Sequence, residues 1–139
     1  MRVFLLLISI AVSLLAVVPA RAQDRFFPRK EGEKVKYAVM IELGKAYISG
    51  VGIIACQEEE IRGVVFNEFG VSVISFSYNP RKNRMKILDA VGKLDRWYVK
   101  RVIRKDLVHV MSALQASETT YVNEKRRIRY TFTPLDNQE

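Results

Sequence analysis

Residues 34–43 read KVKYAVMIEL; Gly44-Lys45 follow, and residues 46–57 read AYISGVGIIACQ. In the first segment Val35, Tyr37, Val39, Ile41 and Leu43 fall on one side, opposite Lys34, Lys36 and Glu42. A period of two with one charged side is the pattern of a strand that buries one face and wets the other. Gly44-Lys45 is a tight turn, and the second segment is a strand with apolar residues on both faces: Ile48 and Ile54 on one, Val51 and Ile53 on the other. Gly50 and Gly52 share a face there and predict a bend or a close backbone approach.

Working outward, Glu58-Glu59-Glu60 reads as a solvated turn, Ile61–Asn67 as a third strand and Val71–Asn79 as a fourth, joined at Glu68-Phe69-Gly70. Ile74, Phe76 and Tyr78 alternate with Val73, Ser75 and Ser77 in the fourth. Asn79-Pro80 starts a turn, and a short strand near Met85–Leu88 completes a five-strand antiparallel meander. Residues Leu94–Ala116 have helical composition, with Asp95 placed as an N-cap. At 100° per residue Leu94, Tyr98 and Val102 lie almost opposite Leu107, Val110, Met111 and Leu114. This predicts two short helices with a break near Lys105 and Asp106 capping the second. The competing reading is one helix covered on different sides along its length. The chain closes with a hairpin, Thr119–Val122 and Arg127–Thr133, whose inner face is Ile128, Tyr130 and Phe132. The expected fold is α+β: a curved antiparallel sheet of about seven strands, a half-barrel, with a helical segment inserted before the last hairpin.

Upstream of the sheet the chain has the three parts of an export signal. Arg2 is a positive start, Val3–Val18 is apolar apart from Ser9 and Ser13, and Ala20-Arg21-Ala22 offers a cleavage site before Gln23. The 16-residue apolar run is shorter than the ~20 residues that span a bilayer core. The reading is therefore a signal peptide over 1–22 and one half-barrel domain over 23–139; an uncleaved anchor is the alternative. Gln23 rather than Cys at the cut argues against lipidation. Cys56 is the only cysteine, so no internal disulfide forms, and there is no Asn-x-Ser/Thr sequon. These features point to a soluble periplasmic protein of the cell envelope. Without residues 1–22, 21 Lys and Arg stand against 15 Asp and Glu, a net +6 that favours anionic partners. Lead-in residues Gln23–Gly32 read as polar.

Little in the chain suggests catalysis. His109 is the only histidine and has no triad partners in sight; Cys56 ends an apolar strand and reads as core. The three adjacent glutamates diverge, and no Gly-rich phosphate loop follows a strand. Neither an enzyme nor a metal or cofactor is expected. Two basic clusters stand out. Arg81, Lys82, Arg84 and Lys86 crowd one turn and are candidates for anionic lipid head groups; Lys93, Arg96, Lys100 and Arg104 stripe the helical segment. Export and the lack of a basic, aromatic sheet face argue against nucleic acid.

The segments Ile48-Ser49-Gly50, Arg62–Gly70 with its Phe69-Gly70 turn, and Leu94–Leu114 containing Asp106-Leu107 resemble the lipoprotein-carrier superfamily, LolA-like and LolB-like. That resemblance implies an open half-barrel whose apolar cavity shelters acyl chains crossing the periplasm. The chain departs from it in being shorter than a full carrier and in lacking the acylated cysteine of LolB-like members. The resulting expectation is a non-enzymatic carrier or binding protein for an acyl chain, lipoprotein or other apolar ligand. Its concave face would be lined by Tyr37, Val39, Ile74, Phe76, Tyr78, Ile128, Tyr130 and Phe132. The alternative is a protein-interaction or structural module of the envelope whose concave face is filled by its own side chains.

Intact mass of protein from its native host should give a mature chain beginning at Gln23 with no lipid. A retained leader or an added diacylglyceryl mass is the contrary result.

Overall fold

The computed structural model describes residues 26–135; the expected signal at 1–22 lies outside them. Seven strands form one sheet: β1 (Lys34–Leu43), β2 (Ala46–Gln57), β3 (Glu60–Asn67), β4 (Ser72–Asn79), β5 (Arg84–Ala90), β6 (Thr120–Asn123) and β7 (Ile128–Pro134). One α-helix, α1 (Trp97–Gln115), stands between β5 and β6, after a short 3-10 turn over Gly92–Asp95. The strand order is β5-β4-β3-β2-β1-β7-β6, every pairing antiparallel. The sheet is therefore a meander whose last hairpin returns to pair β7 with β1, Leu43 opposite Ile128 and Tyr37 opposite Pro134. It curls into the expected half-barrel, with strand limits within two residues of those read from the sequence.

Curvature has local causes. Gly52 faces the concave side, where an added Cβ would meet Val39 and Phe132. Gly63 lies directly opposite Phe76, and a Cβ there would clash with the tip of the Phe76 ring, nearest to Cζ. An aromatic ring laid over a glycine lets neighbouring backbones bend together without leaving a hole. Register shifts at Val65/Phe66 and at Ser75/Phe76 add twist at β4.

The helix differs from the sequence expectation. It runs unbroken from Trp97 to Gln115, with no interruption at Lys105. Its buried residues are Ile103, Asp106, Leu107, Val110, Met111 and Leu114. That is one continuous stripe at helical spacing once Asp106 is counted as an inward position. Asp106 caps nothing. It is 3% exposed and accepts from Asn123 Nδ2 at 2.9 and 3.1 Å and from Tyr130 Oη at 2.7 Å. A carboxyl group in the core needs such donors, and here they come from the hairpin that follows the helix. Asp95 is not the cap either: the N-cap position is Arg96, which makes no side-chain capping bond, and Asp95 accepts from Lys100 Nζ at 3.0 Å.

The stripe of α1 packs on the concave face in one core with Val35, Tyr37, Val39, Ile41, Ile54, Ile61, Val65 and Phe76. The helix contacts the two edge strands, β5 and β6, and so closes the half-barrel from rim to rim. At the end where α1 stops, the lead-in acts as a plug. Phe27 and Pro28 are buried, Phe26 O accepts from Tyr37 Oη at 2.7 Å, and Arg29 Nη2 donates to the helix's last carbonyl, Gln115 O, at 2.9 Å. The lead-in read as polar thus carries two aromatics that finish the core. Among the described residues no helix is long and apolar enough to cross a membrane.

Two stability outcomes follow. Gly63→Ala should cost about 1–3 kcal/mol, the range for overpacking, because the Phe76 ring must move; Phe76→Leu in the same chain should recover part of it in urea titrations. Asp106→Ala should cost about 2–4 kcal/mol, since it orphans both Tyr130 and Asn123. The ~1 kcal/mol of a lost helix cap would be too small for the buried role. A double-mutant cycle with Tyr130→Phe should show coupling between the two.

Candidate functional site

The eight residues expected to line a ligand cavity are brought together, but under cover. Tyr37, Tyr130 and Phe132 have no exposed surface, and Val39, Ile74, Phe76, Tyr78 and Ile128 are also buried. The Tyr37 and Phe132 rings meet edge to face at 5.9 Å. The polar tips are occupied as well: Tyr78 Oη donates to Asn83 Oδ1 at 2.7 Å, and Tyr37 and Tyr130 make the bonds described above. Burial, and at Tyr130 the neighbouring Asp106, pushes both hydroxyls far above the ordinary tyrosine range. Among the described residues no buried side-chain polar atom is left without a partner. The concave face is a filled core, with α1 across it.

The open space lies at the end opposite the plug. In an antiparallel meander alternate turns share an end, so the β1–β2 turn, the start of α1 and the β6–β7 turn come together. They enclose a groove of about 900 Å³, within the size range of small-molecule sites. Its apolar wall is Leu43, Val99, Val102, Ile103 and Ile128, with Trp97 and Tyr98 at the mouth. Trp97 is 72% exposed and Tyr98 50%, and their rings meet edge to face at 5.8 Å. Around this wall stand Arg101 and Lys105 from α1 and Lys125, Arg126 and Arg127 from the hairpin turn. Ile128 is the one expected ligand residue that also reaches the groove.

Why these residues gather here is a matter of helix phase. The fully buried stripe of α1 begins only at Ile103; before it Val99 and Val102 are partly buried against the core, and Trp97 and Tyr98 stay exposed. No single stretch of sequence signals the whole groove, because it draws on segments near residues 43, 100 and 126. The local signal was an aromatic pair at a helix start with basic residues three to eight positions on. The turn Asn123–Lys125 with Arg126 and Arg127 reads, on its own, as ordinary wet surface.

The remaining candidates fall elsewhere. Arg81, Lys82, Arg84 and Lys86 sit on and beside the β4–β5 turn, at the end away from the groove, and Arg81 pairs with Glu59 at 2.6 Å. Lys93, Arg96 and Arg104 are exposed, and Lys100 is half-buried. A smaller recess of about 340 Å³ near Ile48, Phe69 and Val73 lies at the groove end of the sheet, with Phe69 88% exposed. His109 is exposed and stacks on Tyr121 at 4.9 Å. Cys56 is buried; burial, with Glu31 and Glu33 nearby, pushes its thiol up and keeps it protonated. Among the described residues no three His, Cys, Asp or Glu side chains gather as metal ligands.

Comparison with protein-family models, with curated proteins and with solved structures found no match for this chain.

Proposed function

We propose that the protein is a non-enzymatic binding protein of the bacterial cell envelope, exported to the periplasm, that takes an acyl chain or another apolar ligand. The observation that carries this reading is the groove: an unfilled space of about 900 Å³ with an aliphatic wall, open beside the buried core. Leaving Trp97 and Tyr98 largely exposed at its mouth wastes burial that a purely structural helix would use. A ligand chain lying along Val99, Val102 and Leu43 would recover it. The export signal and the resemblance to lipoprotein carriers support the same compartment and ligand class, with the site at the open end of the half-barrel instead of under the helix.

A second reading has an observation of its own. The filled concave face is what a protein-interaction or structural module requires, and the convex face carries half-exposed Met40, Val51, Ile53, Val64 and Phe66 on adjacent strands. The two readings differ in what they demand of the groove.

Trp97 is the only tryptophan in the chain, so its fluorescence reports on the groove alone. Titration with uncharged normal alkanols should blue-shift it, with affinity rising about fourfold per methylene, as ~0.8 kcal/mol for each buried CH₂ requires. The rise should stop when the groove is full. Val102→Asp should remove the response while leaving the circular dichroism unchanged. A response independent of chain length in folded wild-type protein leaves the interaction module as the function.

A further inference from the structure

The rim of the groove carries an unbalanced charge. Five of its lining residues are cations: Arg101, Lys105, Lys125, Arg126 and Arg127. Among the described residues none of the five is within salt-bridge distance of a carboxylate; the ion pairs found are Arg81–Glu59 and Lys100–Asp95. The one acid that lines the groove, Asp106, is 3% exposed and already engaged by Asn123 and Tyr130. Like charges held together beside a low-dielectric wall repel one another and raise the local potential for an anion. Three of the five are guanidinium groups, whose planar forks match the paired oxygens of a phosphate or carboxylate.

We infer that the groove takes one dispersed amphiphile with an anionic head group, its chain along the aliphatic wall and its phosphate or carboxylate against this rim. The assignment rests on the groove being the ligand site. It adds the charge of the head group and the residues that read it. A phosphate suits the rim best, because its three terminal oxygens can engage several donors at once where a carboxylate offers two. An uncharged or cationic head would leave the repulsion in place.

The test uses the full mature chain and Trp97 fluorescence, with a monoalkyl phosphate, the alkanol and the alkyltrimethylammonium salt of equal chain length, each below its micelle concentration. The phosphate should bind at least about tenfold more tightly than the alkanol, the scale of one charge-assisted hydrogen bond, and the cation more weakly than either. The advantage should shrink as salt is raised, since these charges are exposed. Arg101→Gln with Arg126→Gln should cut the phosphate's advantage over the alkanol several-fold and leave the alkanol chain-length slope intact. Lys82→Gln with Lys86→Gln, at the far end of the sheet, should leave the preference in place.

An alkanol slope with no gain from phosphate overturns the head-group assignment and keeps the groove as an apolar site. A phosphate effect with no chain-length slope makes it a plain anion site and overturns both. Equal loss in the far-end variant means diffuse surface charge, which also overturns the assignment. Binding to vesicles of anionic phospholipid without binding to the dispersed phosphate makes this end a membrane-docking face instead.

Discussion

A seven-stranded antiparallel sheet that does not close into a barrel has one apolar concave face and two unpaired edges, and here a single 19-residue helix must deal with all three. It does so by leaving one edge, β5, and arriving at the other, β6, so that its inward stripe crosses the whole face. Hydrophobic burial alone would let such a helix rotate or slide. Asp106 removes that freedom. Its two oxygens accept from Asn123 at the end of β6 and Tyr130 on β7, so one helix position is tied to both strands of the final hairpin. A buried polar group with every partner in place narrows the ways a core can pack, because each alternative orphans several groups at once. The arrangement of the hairpin, the depth of the helix and the filling of the concave face all depend on that contact.

The same contact explains why the helix was hard to read in the sequence. An aspartate between apolar residues looks like a cap or a break. Placed inward, it joins Ile103 and Leu107 to Val110, Met111 and Leu114 in one stripe. The apolar residues that seemed to define an earlier face, Tyr98 above all, belong to the exposed start. By contrast β1 was legible because its wet face is charged at Lys34, Lys36 and Glu42, leaving period two as the only fit. Strands β2 to β4 were legible as strands, and the paired glycines of β2 as places of close approach, since a Cβ at Gly50 would meet the Phe66 carbonyl of β3. Phe26 and Phe27 were hidden in a polar context, since their burial depends on the far end of the half-barrel being open to receive them. The Glu58-Glu59 turn was seen, but not that both residues take positive φ, 53° and 65°, where Asn or Gly is usual. Glu31, accepting from Glu58 N at 2.8 Å, helps hold that turn.

The candidate site was less legible than the fold for a related reason. Residues that form a core announce themselves by periodicity within one element, and Tyr37, Val39, Ile74, Phe76, Tyr78, Ile128, Tyr130 and Phe132 were found that way. Periodicity cannot say whether an apolar face is covered by a ligand or by another part of the chain. In this protein it is covered by α1. The groove, in contrast, is formed where three elements end. Its residues are the last of β1, the first turns of α1 and the turn of the last hairpin, and no periodicity within one element brings them together.

The two ends of the half-barrel are thus unlike each other, and the difference follows from chain direction. The segment entering β1 arrives where the helix ends, so Phe27 and Pro28 fill that opening and Arg29 satisfies the last carbonyl of α1. Among the described residues no comparable segment arrives at the other end, where the strands hand over to turns and α1 starts before its fully buried stripe begins. Ile103, Ile128 and Asp106 form the boundary, each in contact with the core on one side and the groove on the other. The filled core does not have to open for the groove to be occupied. A ligand site placed there draws its rigidity from the packed sheet and its specificity from exposed turns, which can change without disturbing the fold.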